Sequence, residues 1–303
     1  MKENILQKTY KNVFGKKRSD RIFILIATAF PMLQFLIFFV FVNINQVFLA
    51  FETIDEYGNI SFAGLENFRS FLYSVFNDVN MKMALGNSVI FCFASMTYNF
   101  IALILAYFLW KKPPFTGFFQ WVALLPSVLS SMVFVLIYRY FIIDFLPETL
   151  GITPELFVGK TGMYTILVVG CILSLGGTMI VMAGNLNNIS PDLIDYSKLE
   201  GVNAFQEFIY VVWPVVYPAV TAYIVINLAS FFANSGMLYS FFVNGADPQI
   251  STIGYRFFIL VATAKTQVNY PSVAAASLLF TITTCLVVFP MRALLEKIGP
   301  KED

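Results

Sequence analysis

The chain has 303 residues, of which 58% are hydrophobic and only 12% are charged, and its formal net charge is +1. A soluble domain normally carries about 25% charged residues, so the composition indicates a membrane protein. The chain contains no His, which excludes His general-base catalysis, His-ligated haem and the usual His-containing zinc sites. The three cysteines lie in different apolar runs without paired spacing and are expected to be buried thiols rather than metal ligands.

Six apolar runs have the roughly 20 residues that a helix needs to cross about 30 Å of hydrocarbon. They lie at about Ile22–Phe51, Asn87–Trp110, Phe119–Ile143, Met163–Ala183, Ile209–Phe232 and Ser272–Met291. The first run is far longer than the apolar region of a signal peptide, so it is expected to remain as an anchor. Pro126, inside the third run, predicts a kink. The sequence thus predicts an all-α membrane protein with six transmembrane helices.

Basic residues indicate how these helices are oriented. Seven Lys and Arg lie in the first 21 residues and Lys111 and Lys112 follow the second run, whereas the loop 52–86 is mainly acidic. Cytoplasmic segments are enriched in Lys and Arg, so both termini are expected in the cytoplasm, together with the loop between the fourth and fifth runs. The loops 52–86, 144–162 and 233–271 are expected on the outer side.

The polar passage from Ser190 to Pro214 is patterned like a folded element. Ser190 before Pro191 predicts a helix start with a capping hydroxyl, and the helix is expected to run to about Glu200. Gly201 fits the left-handed position that ends such a helix. Asn203 with Gln206 three residues later predicts a capping box, which opens a second helix that continues into the fifth run past Pro214.

The first of these two helices is predicted to be amphipathic. Leu193, Tyr196 and Leu199 recur every three residues and so share one face. An interfacial helix on lipid usually carries Lys and Arg on its polar face, whereas here Asp192, Asp195 and Glu200 oppose Lys198 alone. The pattern therefore favours a protein partner for this face.

The passage resembles the EAA loop of ABC importer permeases, in which a Glu-Ala-Ala triplet precedes a glycine and a proline follows 13 residues after that glycine. Asp195, Tyr196 and Ser197 stand at the triplet, Glu200 and Gly201 at the Asp-Gly pair, and Pro214 at the proline. Further similar boxes are Gly64-Leu65-Glu66-Asn67-Phe68, Asn87-Ser88 and Gly245-Ala246-Asp247-Pro248. Together they resemble the permeases of maltose, glycerol-phosphate and multiple-sugar importers.

The resemblance implies a type I (MetI-like) importer permease fold. It divides the chain into a basic segment 1–21, a first helix 22–51, an outer loop 52–86, a five-helix core 87–292 with a cytoplasmic coupling loop 184–208, and a tail 293–303. It implies a bacterial plasma-membrane location and these partners: a second homologous permease, a cytoplasmic ATPase dimer, an extracytoplasmic solute-binding protein, a sugar or oligosaccharide and the lipid bilayer, with no nucleic acid.

The same resemblance implies an ATPase-coupling role for Asp195, Tyr196, Ser197, Leu199, Glu200, Gly201 and Pro214. The chain contains no GxxxxGK[ST] motif, since Gly159-Lys160-Thr161 lacks the earlier glycine, so this subunit is not expected to be an enzyme. It is expected to hold no cofactor, because ATP and Mg²⁺ would be bound by the partner ATPase.

A candidate sugar site lies in the fifth run. Asn227, Ser230, Phe231 and Asn234 are spaced at 0, 3, 4 and 7, which predicts one helical face that offers hydrogen bonds and an aromatic ring to a sugar. Counting from Pro214, they match positions that line the binding site in the resembled sugar permeases, and Ser174 and Gly177 of the fourth run are expected to face the same cavity. Each polar residue could equally join helix to helix.

Alternatives remain open at this point. Basic residues are absent from the middle of the runs, which favours a neutral sugar, although a permease of the same fold could carry a non-sugar solute. A membrane-embedded enzyme acting on lipid-linked sugar would need a catalytic constellation at the membrane surface. The only acidic cluster on the cytoplasmic side is formed by Asp192, Asp195 and Glu200, which lie in the predicted docking helix.

Overall fold

Long apolar helices form most of the protein. The computed structural model describes residues 22–151, 159–243, 245–263 and 267–300. The α-helices in these ranges are α1 (Ile22–Leu49), α2 (Glu66–Asn77), α3 (Val79–Trp110), α4 (Thr116–Val128), α5 (Ser131–Leu150), α6 (Gly159–Leu186), α7 (Pro191–Leu199), α8 (Ala204–Ala229), α9 (Leu238–Phe242), α10 (Ile253–Ala262) and α11 (Tyr270–Ile298). Two short strands, β1 (Glu52–Ile54) and β2 (Ile60–Phe62), pair antiparallel after α1.

Five to six candidate spans are present in the described ranges. Helices α1, α3, α6, α8 and α11 are each long and apolar enough to cross a membrane, and α4 with α5 qualify only as a pair that is bent by 98°. The predicted third span over Phe119–Ile143 is therefore interrupted by a break that is much sharper than the kink expected at Pro126. Extended backbone at Leu129 (ψ 145°) and Ser130 (ψ 132°) separates the two helices. Pro126 lies inside α4, three residues before Leu129, and the helix continues past it to Val128.

The segment predicted as the loop 52–86 is largely ordered secondary structure. It contains the β1–β2 hairpin, α2 and the first turns of α3, which begins at Val79 because the Asp78 side chain accepts a hydrogen bond from the Asn80 amide. The Asn67 side chain donates to the carbonyls of Ala50 (3.0 Å) and Glu52 (2.8 Å). The asparagine of the Gly-Leu-Glu-Asn-Phe box thus ties α2 to the end of α1.

The Asn87-Ser88 box of α3 holds a distant loop in place. Asn87 Nδ2 donates to the carbonyls of Gln249 (2.8 Å) and Ser251 (3.0 Å), and Ser88 Oγ accepts from the Ile253 amide (3.1 Å). These bonds satisfy backbone groups of a loop that has no ladder partners of its own. The box therefore fixes the segment before α10 against the start of α3.

The buried core consists mainly of two clusters, both of which include residues of α3 and α6. One cluster lies at the loop end, meaning the end of the bundle where residues 187–203 connect α6 to α8, and it includes Leu109, Leu186, Ile189, Val211 and Val212. The other lies towards α9 and α10 and includes Phe91, Ile166, Leu238, Phe241 and Tyr255. Helix α1, by contrast, has no buried residue in its apolar window.

Gly176 allows α6 to pack closely against α4. A Cβ atom at this position would lie 2.6 Å from the Ala123 carbonyl oxygen and 2.5 Å from Ser127 Oγ, whereas one at Gly184 would meet no atom within 4 Å. We expect Gly176→Ala to destabilise the protein by about 1–3 kcal/mol because the helices must separate. Thermal unfolding in detergent measures the effect.

The matched control is Gly184→Ala on the same helix. A helical Gly→Ala change in open space is neutral or stabilises by about 0.5–1 kcal/mol. Equal unfolding temperatures for the two variants would contradict the close α4–α6 contact.

Candidate functional site

Helix α7 forms at the predicted place, although its N-terminal cap differs from the prediction. The Ser190 side chain makes no capping hydrogen bond; instead its carbonyl accepts from the amides of Leu193 (3.2 Å) and Ile194 (3.4 Å). Pro191 at the first helical turn supplies a preset φ and needs no donor partner. Backbone geometry at Ser190 and Pro191 therefore begins α7 without help from the hydroxyl.

The end of α7 is a glycine turn, as predicted. Gly201 has φ +69°, its amide donates to the Lys198 carbonyl (3.1 Å), and the Val202 amide donates to the Ser197 carbonyl (3.2 Å). These two bonds are those of a Schellman motif, which requires a left-handed residue at the Gly201 position. The turn reverses the chain between α7 and α8.

The second predicted cap is confirmed. Asn203 Oδ1 accepts from the Gln206 amide (2.9 Å), and Gln206 Oε1 accepts from the Asn203 amide (3.0 Å), which forms a complete capping box. Helix α8 then passes through a π-helical segment, Phe208–Val212, before Pro214. Pro214 cannot donate to the carbonyl four residues earlier, and the wider π turn accommodates this loss.

Helix α7 presents an exposed apolar surface, the docking face, formed by Leu193, Tyr196 and Leu199. Tyr196 is 60% exposed and Leu199 is 87% exposed. The opposite side of the helix packs inward, with Ile194 against the loop-end cluster and Ser197 only 5% exposed. All three side chains of the docking face are thus exposed, as their spacing predicted.

The candidate coupling residues on α7 differ in whether they are exposed or buried. Asp195 is exposed and pairs with Lys198 (2.9 Å) within α7, and Glu200 is exposed at its end. A hydrogen bond with Glu200 raises the pKa of Tyr196. Ser197 is buried, so it does not belong to the docking face; its small side chain donates to the Ile194 carbonyl (2.7 Å) and lets α7 lie close to the bundle.

The four candidate sugar residues do not share one helical face. Helix α8 ends at Ala229, so Asn227 is helical, Ser230 is the C-cap, and Phe231 and Asn234 lie in the following turn. The predicted face is therefore wrong beyond Ser230. Asn234 Oδ1 accepts from the Gly236 amide (2.8 Å) and the Asn234 carbonyl accepts from Thr252 (2.9 Å), so this residue stabilises the turn.

Asn227 has the most unusual environment of the four. Its Nδ2 is the one buried side-chain N or O atom in the described ranges without a hydrogen-bond partner. Leaving such a donor unpaired costs about 1–3 kcal/mol. Ser230 Oγ, in contrast, donates to the Ile226 carbonyl (2.6 Å). Asn227 is thus the member of the set that lacks a partner within the chain.

The two candidates on α6 are partly accessible. Ser174 Oγ donates to the Cys171 carbonyl (3.1 Å) in its own helix, and Gly177 is exposed with open space at its Cβ position. No hydrogen bond joins either residue to Asn227. A separate cavity of about 210 Å³ lies between α3, α6 and α8, and its lining includes Asn99 and Tyr223.

Sequence reasoning missed an ion pair between Lys111, which follows α3, and Glu207 in the first turn of α8. From the sequence, Lys111 indicates only the orientation of the helices in the membrane. The available signal was that opposite charges lie at the ends of two helices that meet at the loop end. Their separation along the chain, 96 residues, hides this proximity from local patterns.

Family and sequence comparisons both identify transport-system permeases as similar proteins. The family described as "binding-protein-dependent transport system inner membrane component" matches residues 98–301. A probable starch degradation products transport system permease protein, AmyD, of Thermoanaerobacterium thermosulfurigenes is 26% identical over 44% of this chain and 48% of its own length, so the match spans about half of that relative. The probable ABC transporter permease protein YurN of Bacillus subtilis is 25% identical over 86% of this chain and 92% of its own length.

Two solved structures share the fold. One is a bacterial ABC transporter involved in the import of the acidic polysaccharide alginate, with TM-score 0.74, 15% identity and coverage of 94% of this chain and 99% of that chain. The other is a bacterial alginate ABC transporter in complex with an alginate pentasaccharide-bound periplasmic protein, with TM-score 0.75, 15% identity and coverage of 95% and 99%.

Proposed function

Because the chain belongs to the family of binding-protein-dependent transport system inner membrane components, we propose that it is one permease subunit of an ATP-driven importer for a sugar or oligosaccharide. The exposed docking face of α7, held between a glycine turn and the bundle, carries this proposal. The name of AmyD and the alginate complexes support a sugar as cargo. A periplasmic protein bound to one of those transporters supports delivery by an extracytoplasmic binding protein.

The proposed assembly contains this chain, a second homologous permease, two copies of a cytoplasmic ATPase and the binding protein. ATP and Mg²⁺ are bound by the ATPase. The chain crosses the plasma membrane six times if α4 and α5 form one broken span, and both termini then lie in the cytoplasm, with 1–21 and 293–303 as flanking segments. The coupling loop 184–208 faces the ATPase.

Coupling proceeds through a single helix that begins beside α7. Closure of the ATPase dimer on its nucleotides displaces the docking face, and the Gly201 turn passes this displacement to the Asn203 cap of α8. Because α8 is continuous from Ala204 to Ala229, the displacement reaches Asn227 near its far end. Rigid-body movement of such helices exchanges inward and outward access.

Sugar recognition is assigned to the end of α8 and the neighbouring face of α6. The unpaired Asn227 amide offers a hydrogen bond to a sugar hydroxyl, with Ser230 and Phe231 beside it and Ser174 and Gly177 on α6. Asn234 supports this region through its turn bonds. The second permease completes the cavity.

The docking role is tested with Leu199→Asp. We expect the ATPase that co-purifies with the permease in mild detergent to fall at least tenfold, because a carboxylate replaces the most exposed apolar contact of α7. Ser190→Ala is the matched control in the same loop, since its hydroxyl makes no capping bond. Undiminished ATPase recovery with Leu199→Asp would overturn the assignment of the docking face.

A further inference from the structure

The Lys111–Glu207 ion pair joins the end of α3 to the first turn of α8, immediately after the Asn203 cap. Glu207 is 5% exposed. Lys111 Nζ also lies 5.4 Å from the ring centroid of Trp110 and 5.5 Å from that of Tyr107. Tyr107 Oη donates to the Ala204 carbonyl (3.1 Å), which adds a neutral bond between the same two helices.

This pair differs in kind from the other two ion pairs in the described ranges. Asp195–Lys198 and Arg292–Glu296 each link neighbouring turns of one helix and are exposed. Exposed pairs of that type contribute little, whereas a buried carboxylate is strongly unfavourable unless a cation stays beside it. Separating Lys111, whose side chain is 36% exposed, from Glu207 would therefore leave a nearly buried carboxylate without its cation.

The charges also suit the helix ends that carry them. Lys111 caps the C-terminus of α3, where the helix dipole favours a cation, and Glu207 lies in the first turn of α8, where it favours an anion. The surrounding cluster of Leu109, Val211 and Val212 is apolar. Apolar contacts permit sliding, but an ion pair flanked by two aromatic rings holds one relative position of α3 and α8.

Helix α3 leads from this pair to the opposite end of the molecule. Its 32 residues span about 48 Å. About 36 Å along the helix from Lys111, Asn87 and Ser88 bind the backbone of Gln249, Ser251 and Ile253 in the loop before α10. A movement imposed on α3 at Lys111 thus reaches a loop at the far end of the bundle.

We propose that the Lys111–Glu207 pair is a positioning contact that makes α3 move together with α7 and α8, and so links the ATPase-docking end to the loop held by Asn87. The proposal rests on the proposed coupling of α7 to an ATPase. The pair touches neither sugar nor nucleotide. The ion pair determines whether a movement of α7 and the start of α8 also moves α3 or stays confined to α8.

The test uses the whole transporter, reconstituted in liposomes with its binding protein. Variants are Lys111→Met, Glu207→Gln and the double variant of both, which removes the charges without leaving either one unpaired. We expect normal ATPase recovery and a loss of at least fivefold in the transport ratio, meaning the sugar transported per ATP hydrolysed. Lys111→Arg keeps the cation, and we expect its ratio of sugar transported to ATP hydrolysed to stay within twofold of wild type.

Two further variants separate positioning from general stability. The exchange of charges, Lys111→Glu with Glu207→Lys, is expected to recover part of the transport ratio that the single variants lose, because the pair is restored while the helix ends and aromatic rings favour the native arrangement. Arg292→Met breaks an exposed pair and is expected to leave the ratio unchanged. If the double neutral variant assembles and keeps the wild-type ratio, or if transport and hydrolysis fall in parallel, the proposal is wrong.

Failure of this proposal is distinguishable from failure of the proposed function. Leu199→Asp reports on docking through the amount of ATPase recovered, independently of the transport ratio. Suppose that Leu199→Asp lowers ATPase recovery as expected but the double variant keeps the wild-type transport ratio. The docking role of α7 would then stand, and only the proposed role of the Lys111–Glu207 contact would be rejected.

Discussion

Gly201→Val is expected to lower sugar uptake at least tenfold in cells or liposomes that contain the complete transporter. Gly201 has φ +69°, and a β-branched residue in this region costs about 1–3 kcal/mol. A Cβ atom there would meet no neighbour within 4 Å, so the penalty comes from the backbone alone. The strain opens the Schellman bonds from Gly201 and Val202 and detaches α7 from α8.

Gly201→Asn provides the matched control for this effect. Asparagine tolerates the left-handed region, and the open space accommodates its side chain. We therefore expect Gly201→Asn to retain at least half of the wild-type uptake, while the sugar affinity of the separate binding protein stays the same with both variants. Wild-type uptake by Gly201→Val would contradict the role of this turn in coupling.

Asn227→Leu is expected to reduce uptake of the preferred sugar about tenfold while leaving the subunit as stable as before, or more stable. Removing the unpaired Nδ2 donor relieves a desolvation penalty of about 1–3 kcal/mol, and leucine has a similar volume. The hydrogen bond to sugar is lost at the same time. Uptake rates and thermal unfolding of the purified complex in detergent measure the two effects.

The comparison variant for Asn227→Leu is Thr283→Val in α11. Thr283 donates to the Leu279 carbonyl (2.8 Å) of its own helix, so this change removes a polar group that is already satisfied. We expect uptake to stay within twofold of wild type. If Asn227→Leu lowers the unfolding temperature and uptake in proportion, Asn227 joins helix to helix and does not bind sugar.

Local rules explain why the passage around α7 was predictable. A capping box, a left-handed glycine and a proline at a helix start each depend on residues within about five positions, and Asn203, Gly201 and Pro191 adopt the expected geometry. The exposed side of α7 followed from spacing alone, since Tyr196 and Leu199 face away from the bundle. The inward position of Ser197 needed the neighbouring cluster to be known.

The break between α4 and α5 and the end of α8 were less predictable because apolar composition continues across both. Residues 119–143 are apolar on either side of Leu129, so hydropathy alone describes one span. Helix α8 ends at Ala229; beyond it the Asn234 carbonyl accepts from Thr252, and a side chain at Gly254 would collide with the Ala233 carbonyl. Contacts with a segment about 20 residues away thus hold the chain that follows the helix.

The sequence by itself determined the number and order of the apolar runs, the helix–glycine–helix passage from Ser190 to Pro214 and its exposed docking face, because each depends on composition or on nearby residues. Only the tertiary structure decided that Asn227 has an unpaired amide, that Asn87 holds the loop before α10, and that Lys111 meets Glu207. These features join residues far apart in the chain, and their free energy depends on burial that only packing creates.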